Sequence, residues 1–157
     1  MFFDDPTAAF TNIAAHLAPD GRLCIATWQP LADNEWLAVP GAALLAFTDP
    51  PDGATADGPG MFAQSDPDGI SAALDAAGFE SVTSQPHTVP LRLGATVDDT
   101  IDHLAQAGPG RAILETLPAD RYDDAITAVP ETLAPHANSD GVILGGGILI
   151  TTGRRRH

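Results

Sequence analysis

Between Phe10 and Trp28 the chain changes rhythm. Phe10, Ile13, Ala14 and Leu17 fall at i, i+3, i+4 and i+7, the single apolar stripe of a helix. Asp5-Pro6 stands ahead of them: Asp5 can accept hydrogen bonds from the orphan N–H groups of a first turn, and Pro6 suits the first helical position. Pro19-Asp20-Gly21 ends the stripe. Leu23 to Trp28 then runs on without polar alternation, which predicts a strand covered by helices on both faces.

Residues 29–64 follow neither rhythm. Pro30, Pro40, Pro50, Pro51 and Pro59 punctuate them, with Gly53, Gly58 and Gly60. A short helix is expected over about Glu35–Phe47, on Leu37, Leu44 and Leu45. "TDPPDGATADGPG" reads as a mobile loop, so 29–64 is expected to form a lid-like insertion. Ser65-Asp66-Pro67 opens a second helix, with Ile70, Ala73, Leu74 and Ala77 on one face and Gly78 as a left-handed stop. "FESVTSQPHTVPLRL" predicts an extended segment broken or edged by Pro86 and Pro90. Thr96 and Asp99 resemble a capping box with the shorter acid, ahead of Ile101, Leu104 and Ala105. Helical pieces are expected over about Arg111–Leu117 and Asp120–Leu133, the second strained by Pro130, with Gly108-Pro109-Gly110 as a turn. "GVILGGGILITTG" predicts a last strand with a bend or bulge.

A chain of 157 residues fits one domain, 1–157. Charge narrows what it can bind. Only seven residues are basic, none is lysine, and the formal net charge is −14, which argues against a nucleic-acid partner. Arg154, Arg155 and Arg156 are expected to form a solvated terminus. The single cysteine, Cys24, has no intrachain partner, so a reducing, cytoplasmic setting is expected. "MFFDDPTAAF" has neither a basic start nor a long apolar run, and no stretch nears the ~18 apolar residues of a membrane span.

Candidate chemistry is thin. His16, His87, His103, His136 and His157 have no metal-ligand spacing and no cysteine partner, so no metal is expected. Asp99 and His103 read as a solvated i, i+4 pair, and the acid pairs Asp4-Asp5, Asp98-Asp99 and Asp123-Asp124 as helix-start charges. No G-x-S-x-G elbow is present. Gly145-Gly146-Gly147 lacks the helix that must follow a phosphate loop, and reads as bent strand.

The order of elements carries more. "MFFDDPTAAFTNIAAHLAPDGRLCIATWQPLADNEW", with its Leu17-Ala18-Pro19-Asp20-Gly21-Arg22-Leu23 turn, resembles the middle of class I S-adenosylmethionine-dependent methyltransferases, the small-molecule group that includes ubiquinone and menaquinone biosynthesis enzymes. "PGMFAQSDPDGISAALDAAGFESV" is similar to that family's next portion, and "GILITTGRRR" to its antiparallel seventh strand. The resemblance implies an α/β fold, the C-terminal half of a Rossmann-like methyltransferase: a small mixed sheet with packed helices, its last strand antiparallel between the other two. The family's G-x-G-x-G cofactor loop and ribose-binding acid have no counterpart here. The implied function is therefore the acceptor-side half of a methyltransferase, inactive alone, with S-adenosylmethionine as the family's cofactor but not expected to bind this chain alone. A catalytically dead remnant and a non-enzymatic binding or dimerisation module are the alternatives.

By the same resemblance Phe2, Phe3 and Asp4, then Trp28 and Gln29, would face the substrate pocket, and Trp36, Met61 and Phe62 could form an apolar lid. Core packing is the competing reading for each aromatic, and no residue stands out as a general base. The expected partners are a missing N-terminal half or a second copy, and a small apolar molecule. A homodimer or larger homo-oligomer is expected at the Leu23–Trp28 edge, with Phe10 and Ile13 left short of packing partners.

Overall fold

A computed structural model describes residues 2–48, 60–106 and 108–157. The expected loop over "TDPPDGATADGPG" falls, apart from its two ends, outside them. The described chain is α/β and gathers into two compact units. The first comprises residues 2–30, 60–88 and 147–157, the second residues 31–48, 89–106 and 108–146.

In the first unit, helix α1 (Pro6–His16) begins where Asp5 accepts the Ala8 N–H at 2.9 Å, as its sequence predicts. Asp20 sits at φ 61° in the turn that follows. A Cβ on Gly21 would lie 2.7 Å from the Ala18 carbonyl oxygen, which is why glycine follows the aspartate there. Strand β1 (Arg22–Trp28) leads out of that turn. Helix α3 (Pro67–Ala76) is started by Asp66, which accepts from the Asp68 and Gly69 N–H groups, and is stopped by Gly78 at φ 90°. Phe10, Ala14, Ile70, Leu74, Ala77, Phe79 and Leu149 form the buried core, so Phe10 is not left exposed as the sequence led us to expect.

Strand β2 (Phe79–Gly94) and strand β4 (Gly141–Arg155) are long enough to contribute to both units, which divide between Thr88 and Val89 and between Gly146 and Gly147. The strand order is β1-β4-β2. β1 pairs antiparallel with β4, from Arg22 opposite Arg154 to Trp28 opposite Ile148. Thr83 bonds to Thr152 at 3.0 Å and Ser84 to Thr151 at 2.7 Å, so β2 also runs against β4. The central antiparallel last strand is as expected, but the sheet is antiparallel rather than mixed. β2 continues through Pro86 and Pro90 because it ends the order, where a missing N–H need not break a ladder. The expected cover on both faces of β1 is also corrected: Leu23 and Ile25 pack on the core, whereas Cys24 and Ala26 are exposed.

In the second unit, a 3₁₀ turn (Leu31–Asp33) leads into α2 (Glu35–Leu45), with Pro40 buried inside the helix. Next come α4 (Val97–Gln106), α5 (Gly108–Leu114) and α6 (Tyr122–Leu133), then the two-residue β3 (Ala137–Asn138) paired with the start of β4. Thr96 accepts the Asp99 N–H at 3.1 Å, making half of the expected capping box. Gly108-Pro109-Gly110, expected as a turn, instead begins α5. Leu44, Leu104, Leu114, Ala125, Val129, Leu133, Val142 and Leu144 are the buried core. Gly145, Gly146 and Gly147 lie inside β4, with no helix start to cradle a phosphate. Among the described residues no helix is long and apolar enough to cross a membrane.

Candidate functional site

An apolar concavity lies in the second unit, between α2 and α5. α2 reads "EWLAVPGAALL", apolar nearly all round, and such a helix needs cover on more than one side. One side supplies buried Leu44, with Trp36, Val39 and Ala43 beside it, to the core. The other carries Leu37, Ala38, Gly41, Ala42 and Leu45, which line a hollow of about 240 Å³ completed by Leu31, Pro109 and Ile113. Leu45, Pro109 and Ile113 also line a second hollow, of about 590 Å³, with Ala112 and Thr116 of the α5 end and Thr48. Through these shared residues the two form one groove.

Among the described residues no charged side chain lines either hollow. Leu31 and Leu45 remain 46% and 48% exposed, so apolar surface is offered to a ligand. Two hydroxyls set the polarity. Thr48 Oγ1 donates to the Leu45 carbonyl at 3.0 Å, and Thr116 Oγ1 to the Ile113 carbonyl at 2.6 Å. Each proton is thereby committed, and what each oxygen has left is the capacity to accept. The groove suits a neutral, largely apolar molecule with a hydroxyl or N–H to donate.

The residues that the resemblance marks lie elsewhere. Phe2 and Phe3 are 69% and 47% exposed, and Asp4 is exposed beside them. Trp28 is half-buried at the end of β1. Gln29 follows it, giving its N–H to the Gly147 carbonyl at 2.9 Å and its side-chain amide to the His87 carbonyl at 3.0 Å. Gln29 is thus tied to β4 and to β2, the strand beyond it, a structural use of a residue marked for the pocket. Trp36 packs on the second unit's core and donates from Nε1 to Asn34 Oδ1 at 3.0 Å, in line with the core reading. Met61 and Phe62 are half-buried in the turn before α3. None of the eight is a lining residue of the groove.

The groove escaped sequence reasoning because its lining is aliphatic and motif-free. One signal was available: Leu37, Gly41 and Leu45 at i, i+4 and i+8, and Pro109, Ile113 and Thr116 at i, i+4 and i+7, are second stripes on helices that already have a core face.

Among the described residues no three His, Cys, Asp or Glu side chains gather as a metal site. The 157 residues contain no G-x-G-x-G loop, and their one triple glycine is strand, so they lack the glycine cradle that the resemblance implies for S-adenosylmethionine. No protein-family model matches the chain, and no curated protein matches it.

Proposed function

We propose that this chain is the acceptor-side part of an S-adenosylmethionine-dependent small-molecule methyltransferase, and that the α2–α5 groove holds the acceptor. The strand order carries the reading. β4 runs antiparallel between β1 and β2, the arrangement that the resemblance implies for the family's last three strands. The helices ahead of β1 and β2 pack on a common core, in keeping with that half of the fold.

Methyl transfer is an in-line displacement that rests largely on positioning in a dry site. A groove whose described lining is uncharged and carries two acceptor hydroxyls can orient a phenol, and the phenol's proton would pass to water, since no base lines the described groove. The cofactor is to be held by groups outside these residues. Calorimetry tests both parts. A short-chain quinol should bind saturably, Leu45→Asp should abolish that binding, and S-adenosylmethionine should give no saturable heat with this chain alone. Leu45 is half-exposed, so the variant is expected to fold. Failure of the quinol to bind, or binding unchanged in Leu45→Asp, would overturn the groove assignment; micromolar cofactor binding would overturn the half-enzyme reading.

A second reading, a dimerisation module, is favoured by β1. It ends the sheet order, and residues 23–27 carry neither charge nor proline, the usual guards of an edge strand. A second copy related by a two-fold axis can pair there without apposing like charges. Light scattering at low micromolar concentration should give a dimer, and a folded monomer would defeat this reading.

A further inference from the structure

The open face of the first unit's sheet carries an arrangement that neither the groove nor the edge requires. Arg22 and Arg154 are direct partners across β1 and β4. Directly opposed side chains in an antiparallel pair lie close together on one face, and like charges there are unfavourable. In a chain of net charge −14, with only seven basic residues, two arginines nevertheless stand opposite each other in this register. They line a cavity of about 250 Å³ with Ser81, Thr152 and Gly153, and among the described residues no acid lines it.

The two arginines differ in what holds them. Arg154 is fixed from both sides, by Asp20 at 3.2 Å and by Glu80. Its charge is thus answered and its orientation set. Arg22 is exposed and makes no ion pair or side-chain hydrogen bond among the described residues. Asp20 and Glu80 balance the two arginines in formal charge, and Arg22 is the guanidinium that neither acid engages.

Ser81 reaches the same place through a distortion of β2. It stands at φ 53°, uncommon for a residue other than glycine, asparagine or aspartate. Phe79 and Val82, three apart, both approach Gly153 from the core side, where regular alternation would put them on opposite faces. One extra residue is thus accommodated between them, which is a bulge, a device that re-aims a side chain. The Thr152 hydroxyl, bonded to Thr83, adds a further polar group.

We infer that this cavity binds a small oxyanion, a phosphoryl or carboxylate group, with Arg22 as the charged fork, Arg154 as a fixed second donor and the Ser81 and Thr152 hydroxyls at the sides. A guanidinium fork matches the paired oxygens of either group. The site is independent of the methyltransferase reading and lies within the first unit.

Amide NMR titrations at constant ionic strength test it, one with inorganic phosphate and one with acetate. Saturable shifts are expected at residues 22, 81 and 152–154. Arg22→Ala should weaken binding by roughly tenfold or more, with the rest of the spectrum unchanged because Arg22 holds nothing in place. Arg22→Lys should retain part of the affinity, and Arg111→Ala, in an exposed ion pair of the second unit, all of it. Binding of phosphate alone assigns a phosphoryl ligand, of acetate alone a carboxylate, and of both a general oxyanion site. Saturation by neither, or equal affinity in Arg22→Ala and the unaltered chain, would overturn the proposal.

Discussion

Thr27 faces the core of the first unit at 6% exposure, and its hydroxyl oxygen has no hydrogen-bond partner. A buried hydroxyl without a partner loses its water bonds and gains nothing in return, a penalty of about 1–3 kcal/mol. Valine has nearly the same shape. Thr27→Val should leave the fold intact and raise stability by up to about 1 kcal/mol, read as a higher urea midpoint with an unchanged slope. A lower midpoint would mean that the hydroxyl is satisfied in solution. The contrast with Thr151 is instructive: also buried, it bonds to Ser84 at 2.7 Å, and Thr151→Val should cost stability by stranding Ser84.

At the scale of elements, much was legible in the sequence. The Asp-Pro openings of α1 and α3 state their own starts, because a carboxylate cap and a proline at the first position act locally. What local pattern does not carry is where an element ends up. Cys24 and Ala26 read as buried, yet they are small enough to stand in solvent on an edge strand at little cost. Pro86 and Pro90 read as interruptions because an edge position is not visible in the residues themselves. The groove joins α2 to α5 across some sixty positions of sequence, through aliphatic side chains that no spacing rule links.

The three terminal arginines show the same limit. They read as a solvated tail, but each is engaged. Arg155 donates to the Leu17 carbonyl at the end of α1, while Arg156 donates to the Asp75 carbonyl and carboxylate at the end of α3. The last carbonyls of a helix lack partners within it, and a cation there also complements the helix dipole. Arg156→Ala should therefore lower stability more than Arg111→Ala, which breaks only an exposed i, i+4 pair with Glu115. Because Arg156 and Asp75 are 47% and 67% exposed, solvent screening limits the difference to about 1 kcal/mol. Thermal melts of the two variants side by side decide it, and equal midpoints would show that Arg156 caps nothing of consequence.

For the whole molecule, the acidic excess dominates. A net charge of −14 opposes compaction through self-repulsion, while the exposed arginine pairs favour it. Salt weakens both, since exposed charges beyond about 10 Å are largely screened at 0.1 M. With three times as many acids as bases, the repulsive term is the larger. Stability should rise as sodium chloride is added from very low to physiological levels, seen as a higher melting midpoint. A fall over that range would mean that the arginine contacts contribute more than the surplus acids subtract.

The pairing of β1 with β4 also sets a timetable. Trp28 must meet Ile148 and Arg22 must meet Arg154, separations of 120 and 132 positions. A ribosome adds about 5–20 residues per second, so β1 is made roughly 6–26 s before its partner exists. Through that interval the Leu23–Trp28 segment, made just after α1, is without the β4 partner it has in the folded chain. Helices of the second unit can form in the meantime, but the first unit's sheet cannot close until its central strand has been translated. The waiting strand is where a chaperone would be engaged during synthesis, and where a stalled chain would begin to aggregate.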